Sequence, residues 1–94
     1  MTIKQVNEGK EWVTDAMRTF ANEYNVQICN LKWGRGEKGF DRGMWSLAYF
    51  IGNKRYVEQF SEESLNNCMG SENVRNLLER HLRKLIKSKS TARK

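Results

Sequence analysis

Gly52-Asn53, centred in the run MWSLAYFIGNKRYVEQF, limits how this chain can fold more than any other dipeptide in it. A two-residue turn between β-rich runs needs φ > 0, which Gly and Asn tolerate, so the spacing predicts a tight hairpin. The turn sets the register, pairing Ile51 with Lys54, Tyr49 with Tyr56, Leu47 with Glu58 and Trp45 with Phe60. Alternation then sorts the side chains. Trp45, Leu47, Tyr49, Ile51, Tyr56 and Phe60 form an apolar face fit to receive helices, while Met44, Ser46, Ala48, Phe50, Arg55, Val57 and Gln59 fall on the other.

The hairpin has helical patterns on either side. From about Glu8 to Tyr24, Trp12, Val13, Ala16, Met17, Phe20, Ala21 and Tyr24 recur in adjacent pairs four apart, the mark of an amphipathic helix. Val26 to Trp33 reads as a strand, although Val26 and Ile28 point one way and Cys29, Leu31 and Trp33 the other. Four glycines in Trp33 to Gly43 (WGRGEKGFDRG) predict a long mobile loop. After the hairpin, Ser61 is placed to cap a short helix with Glu62 and Glu63 in its first turn. Gly70-Ser71 breaks that helix, and Ser71 caps a final one from about Glu72 to Lys87. Its stripe is Val74, Leu77, Leu78, His81, Leu82, Leu85 and Ile86. The expected fold class is therefore α+β, a single small domain of order α-β-β-β-α(α), with a three-stranded antiparallel sheet and helices packed on one face. Residues 1–87 are expected to form that domain, and residues 88–94 (SKSTARK) a flexible basic tail.

Ninety-four residues make room for one modest core, and ten aromatic residues argue against a disordered chain. No run approaches the roughly 18 apolar residues of a membrane span, and the first residues lack a signal peptide's apolar stretch. The expectation is a cytoplasmic protein with no membrane partner. Cys29 and Cys68 stand far apart without a CxxC pair or a ring of histidines, so neither a metal site nor a disulfide framework is expected. Both read as reduced, partly buried thiols.

Charge is distributed unevenly. Val74 to Lys94 holds eight cations (Arg75, Arg80, Arg83, Lys84, Lys87, Lys89, Arg93 and Lys94) against Glu79 alone, a net +7, whereas nine cations and ten anions leave residues 1–73 at −1. Cations gathered on one surface displace the counterions condensed around phosphates, which points to a polyanionic partner. They also complement the end of a helix dipole, a purely structural use. Lys32, Arg35, Lys38 and Arg42 beside Trp33 and Phe40 suggest a second phosphate-tracking or base-stacking segment, tempered by Glu37 and Asp41.

Other signals are weaker. Gly34-Arg35-Gly36-Glu37-Lys38-Gly39 spells GxGxxG, but the pyrophosphate version of that motif opens a helix, and here Phe40 to Trp45 leads into a strand; no cofactor is expected. His81, inside the apolar stripe, reads as a half-buried core residue. Phe50 and Arg55, facing one another across the hairpin beside Ser46 and Gln59, resemble the stacking groups of some single-strand binders, but such a pair is commonly a plain cross-strand contact. No nucleophile, base and orienter assemble, so the chain does not read as an enzyme.

In element order the chain resembles the double-stranded RNA-binding domain. The resemblance implies duplex contacts from the first helix, a loop between the first two strands and lysines opening the last helix. Here Ser61-Glu62-Glu63 stands where those lysines belong and the cations come late, from Arg80 to Lys89, so no contact residue carries over. Two readings result. One is a small non-enzymatic nucleic-acid-binding protein using Lys32, Trp33, Arg35, Lys38 and Arg42 of the loop with Arg75, Arg80, Arg83, Lys84, Lys87 and Lys89 of the last helix. The other is a protein-interaction module, a small regulator or inhibitor of the sort encoded by phages and mobile elements, docking on an acidic or nucleic-acid-binding protein. A homodimer through the long apolar stripe is a related expectation.

Overall fold

In a computed structural model of the chain, residues 3–35 and 43–91 are described. The element order is α1 (Ile3–Glu23), β1 (Ile28–Arg35), β2 (Met44–Ile51), β3 (Lys54–Ser61), α2 (Glu62–Cys68) and α3 (Glu72–Thr91). The three strands form one antiparallel sheet in the order β1-β2-β3, and the helices pack on one of its faces. The α+β class and the element order are those expected from the sequence.

The hairpin follows the register its turn dictates: Ile51 pairs with Lys54, Tyr49 with Tyr56, Leu47 with Glu58 and Trp45 with Phe60, with Gly52 at φ 63°. Leu47, Tyr49 and Phe60 are buried against Val13, Met17 and Phe20 of α1 and Leu82 and Ile86 of α3. The core therefore lies between the apolar sheet face and the helices.

A bulge resolves the conflicting alternation in β1. Cys29 pairs with Phe50, but the next pair is Lys32 with Ala48, so Asn30 and Leu31 lie opposite Tyr49 alone. Asn30 takes the left-handed conformation (φ 55°), and the side-chain parity flips there. Ile28, Leu31 and Trp33 consequently all pack toward the core. A β-branched side chain tolerates that backbone poorly. Asn30→Val is expected to lose about 1–2 kcal/mol in urea unfolding, whereas Asn30→Gly should hold close to wild type.

Asn25 (φ 57°) ends α1 in the same way. The Val26 N–H donates to the Ala21 carbonyl (2.7 Å) and the Asn25 N–H to that of Asn22 (3.3 Å), a Schellman arrangement with Val26 and Ala21 both buried. At the other corner, the Ser61 Oγ accepts from the Ser64 N–H (3.1 Å) to cap α2, and the Ser71 Oγ accepts from the Val74 N–H (3.3 Å) to cap α3.

Boundaries differ from expectation in three elements. α1 begins at Ile3 rather than near Glu8, because buried Val6 and Gly9 extend its core-facing stripe one turn further. Gly9 meets α2 so closely that a Cβ there would overlap the Leu65 backbone. β1 runs through Gly34 and Arg35, which sequence placed in a loop; they pair with Ser46 and Trp45, and the Ser46 hydroxyl donates to the Gly34 carbonyl (3.3 Å). α3 continues to Thr91 instead of ending near Lys87, so part of the expected tail is helical. No Gly or Pro interrupts it, and Lys89 lies over the Tyr56 ring, tying the last turns to the sheet.

Candidate nucleic-acid interface

The cations assigned to α3 divide into two groups. Arg75 turns back across the Gly70-Ser71 corner, and its Nη1 donates to the carbonyls of Cys68 (3.0 Å) and Met69 (2.8 Å), capping the C-terminus of α2. Arg83 reaches Glu23 (2.7 Å) and lies 4.4 Å from the centre of the Phe20 ring. Interactions with Tyr24 and Glu23 raise its pKa above the ordinary arginine value. Lys89 sits 4.1 Å from the centre of the Tyr56 ring, with Lys54 at 5.6 Å from the same centre. These three side chains bind α3 to its own domain.

Arg80, Lys84 and Lys87 are exposed. At spacings of four and three they share one outward strip, about 10 Å long at 1.5 Å per residue. Leu77 and His81 flank it, and both are exposed, Leu77 at 64%. The expected half-buried His81 is therefore corrected. α3 packs through a narrower ridge in which Leu82 and Ile86 are buried and Leu78 and Leu85 partly so, leaving Leu77 and His81 on its flank.

Lys32 lies on the other side of the molecule. It is exposed on the helix-free face of the sheet, together with Phe50 and the exposed Arg55, which pair across the hairpin. This face holds a shallow depression of about 680 Å³ lined by Asn30, Lys32, Gly34, Ser46, Ala48, Phe50 and Arg55, with Trp33 at its margin. The Lys32 ammonium and the α3 strip thus belong to opposite layers.

Trp33 does not stand out from a loop as a stacking group. It faces the helices, its ring 5.5 Å from that of Phe60, and its Nε1 donates to the Thr14 Oγ1 (2.9 Å). Trp45 is anchored likewise, donating to Glu62 Oε1 (2.9 Å) beneath the Lys10 ammonium. Arg35 closes β1 opposite Trp45. Lys38 and Arg42 lie outside the described residues, as does most of the GxGxxG segment. The next described element in the chain is strand β2.

Two further titratable groups are perturbed by burial. Burial raises the Cys68 thiol, with Arg75 opposing, and Cys68 is sealed in the core; Cys29, expected to be partly buried, is exposed because it points away from the helices. Tyr49 is raised strongly, first by burial and then by Glu58. Among the described residues no three His, Cys, Asp or Glu side chains are grouped to hold a metal ion, and no helix is long and apolar enough to cross a membrane.

Sequence reasoning weighed Phe50 and Arg55 as a cross-strand pair and left them out of the interface. The hairpin register is the signal that places them together; it cannot show that Lys32 joins them on that face, which depends on the bulge at Asn30. Comparison with family models, curated proteins and solved structures finds no match to this chain, so the resemblance to the double-stranded RNA-binding domain rests on element order alone.

Proposed function

We infer that the protein is a small non-enzymatic nucleic-acid-binding protein whose phosphate contacts come from the outward strip of α3. What carries this reading is the strip itself: Arg80, Lys84 and Lys87 are exposed on one helical face, in a chain whose first 73 residues are close to neutral. Side chains of this kind neutralise phosphates without reading bases, so they supply affinity rather than sequence preference. Arg75, Arg83 and Lys89 serve the reading indirectly, by holding the helix that presents the strip.

The test is fluorescence anisotropy with labelled duplex and single strands at several salt concentrations, comparing wild type with a combined Arg80→Ala, Lys84→Ala and Lys87→Ala variant. Loss of three phosphate contacts should flatten the slope of log K against log salt for duplex by about 3 and weaken binding to all sequences alike. Equal affinity and slope in the two proteins would remove the strip from the interface.

A second reading, a protein-interaction module docking on an acidic partner, draws on Leu77. A leucine this exposed beside Arg80 and Lys84 fits the centre of a helix-in-groove contact with basic flanks. Leu77→Ser separates the two: partner capture should fail in this variant, whereas phosphate-driven binding should be unchanged.

A further inference from the structure

We propose that the helix-free face of the sheet is a second binding surface, one that takes single-stranded nucleic acid, with a base stacked on Phe50 and the adjoining phosphates held by Arg55 and Lys32. The inference rests on the nucleic-acid reading above but uses a different surface.

The face has the shape and charge for that occupant. Gly34, Ser46 and Ala48 form a floor of small residues, Lys32 stands on one side, and Phe50 with Arg55 stands on the other. Both charged groups are exposed cations, and no carboxylate falls on this face among the described residues, since Glu58 points toward the core beside Tyr49. The aromatic group lies between the two cations in strand order, β1 to β2 to β3. An unstacked base offers a π-face to Phe50 and an anionic backbone to its neighbours, the combination by which single strands are held without sequence preference. A duplex hides its base faces in the stack and offers only phosphates, so this surface discriminates by strandedness where α3 does not.

The bulge at Asn30 contributes. It turns Leu31 and Trp33 inward together with Ile28, which puts Lys32 and Gly34 on the open side in line with Ala48 and Ser46. Without the parity change at Asn30, Lys32 would face the helices and the depression would lose one of its cations.

Cys29, exposed and paired across from Phe50, reports occupancy without any substitution. The experiment measures anisotropy of labelled oligothymidylate and of a duplex of equal length with wild type, Phe50→Leu, Phe50→Trp and Arg55→Ala. The rate of Cys29 alkylation in wild type is followed with and without unlabelled oligothymidylate. Phe50→Leu keeps an apolar side chain but removes the π-face, and should weaken single-strand binding about fivefold or more with duplex binding unchanged. Phe50→Trp should bind at least as tightly as wild type, and oligothymidylate should slow Cys29 alkylation.

If wild type binds oligothymidylate but Phe50→Leu and Arg55→Ala bind it equally well and Cys29 reacts at its free rate, the sheet-face proposal is overturned while the α3 reading stands. If wild type binds neither ligand, the nucleic-acid reading itself falls, and this proposal with it. Should a variant fail to fold, the Cys29 protection of the wild-type protein still decides.

Discussion

Gly9→Ala is expected to cost about 3 kcal/mol or more, despite replacing a helix-weakening residue by the best helix former. On an exposed helix the exchange gains about 1 kcal/mol. Here the new methyl would overlap the carbonyl carbon, carbonyl oxygen and Cα of Leu65, all backbone atoms that cannot rotate away. α2 cannot simply retreat. It is seven residues long, capped at one end by Ser61 and held at the other by Arg75, and its Leu65 and Cys68 are fully buried. Separating the two helices would open the core around them. A loss of that size should lower the midpoint of thermal unfolding by roughly 12 °C or more in a domain this small. Gly70→Ala is the control: a Cβ at Gly70 meets nothing within 4 Å, so that variant should unfold near the wild-type temperature. Equal stability of the Gly9→Ala and Gly70→Ala proteins would show that α1 and α2 do not meet as described.

The second large effect is expected at Tyr49, the largest fully buried side chain. Its ring stacks on Tyr56 at 5.6 Å, and Tyr56 in turn carries the Lys89 ammonium. Tyr49→Ala removes a ring from the centre of the sheet and should cost about 3–5 kcal/mol, a large share of what holds a domain of this size. Tyr49→Phe separates packing from the hydroxyl. The contact from the Tyr49 hydroxyl to Glu58 is long, 3.5 Å, so at neutral pH the phenylalanine variant should lie within about 1 kcal/mol of wild type.

The two proteins should part company in alkali. Burial, reinforced by Glu58, holds the Tyr49 phenol above its ordinary value of 10.0, so above about pH 10 the unfolded chain releases a proton that the folded chain keeps. The stability this contributes is whole below that pH and declines as pH rises beyond it, by up to about 1.4 kcal/mol per pH unit. Cys68, also raised by burial, adds a decline that begins near pH 9. Urea midpoints at about pH 8 and about pH 10.5 should therefore fall less in Tyr49→Phe than in wild type. Parallel declines would show that Tyr49 ionises as freely in the folded protein as in the unfolded one.

Local chemistry accounts for what was legible in the sequence. The Gly52-Asn53 turn fixed eight strand pairs because a two-residue hairpin leaves no freedom of register, and Ser61 and Ser71 marked helix starts through hydroxyls that reach only their own first turn. The bulge was visible only as a contradiction: Ile28 and Leu31 cannot share a face in a regular strand, and the αL-tolerant Asn30 stands between them. The uses of the cations were much less legible. A pattern along one helix shows which side chains point away from its own stripe, but Arg83 meets Glu23 and Phe20 from sixty residues away, and Lys89 meets Tyr56 of β3. Only Arg75 left a local trace, since a two-residue corner at Gly70-Ser71 brings the first turn of one helix over the open carbonyls of the one before it.

The Asn30 bulge also affects how copies of this molecule behave toward one another. β1 is the outer strand on its side, and an outer strand offers unpaired N–H and C=O groups as a template for a further chain. At Asn30 the backbone turns left-handed, so the regular spacing of those groups breaks a few residues into the strand. An incoming segment would match it only over short stretches. The opposite border, β3, opens with Lys54 and Arg55, two charges that resist a like-charged neighbour. The same irregularity that turns Lys32 outward thus guards one border of the sheet against stacking into fibres as the protein is concentrated.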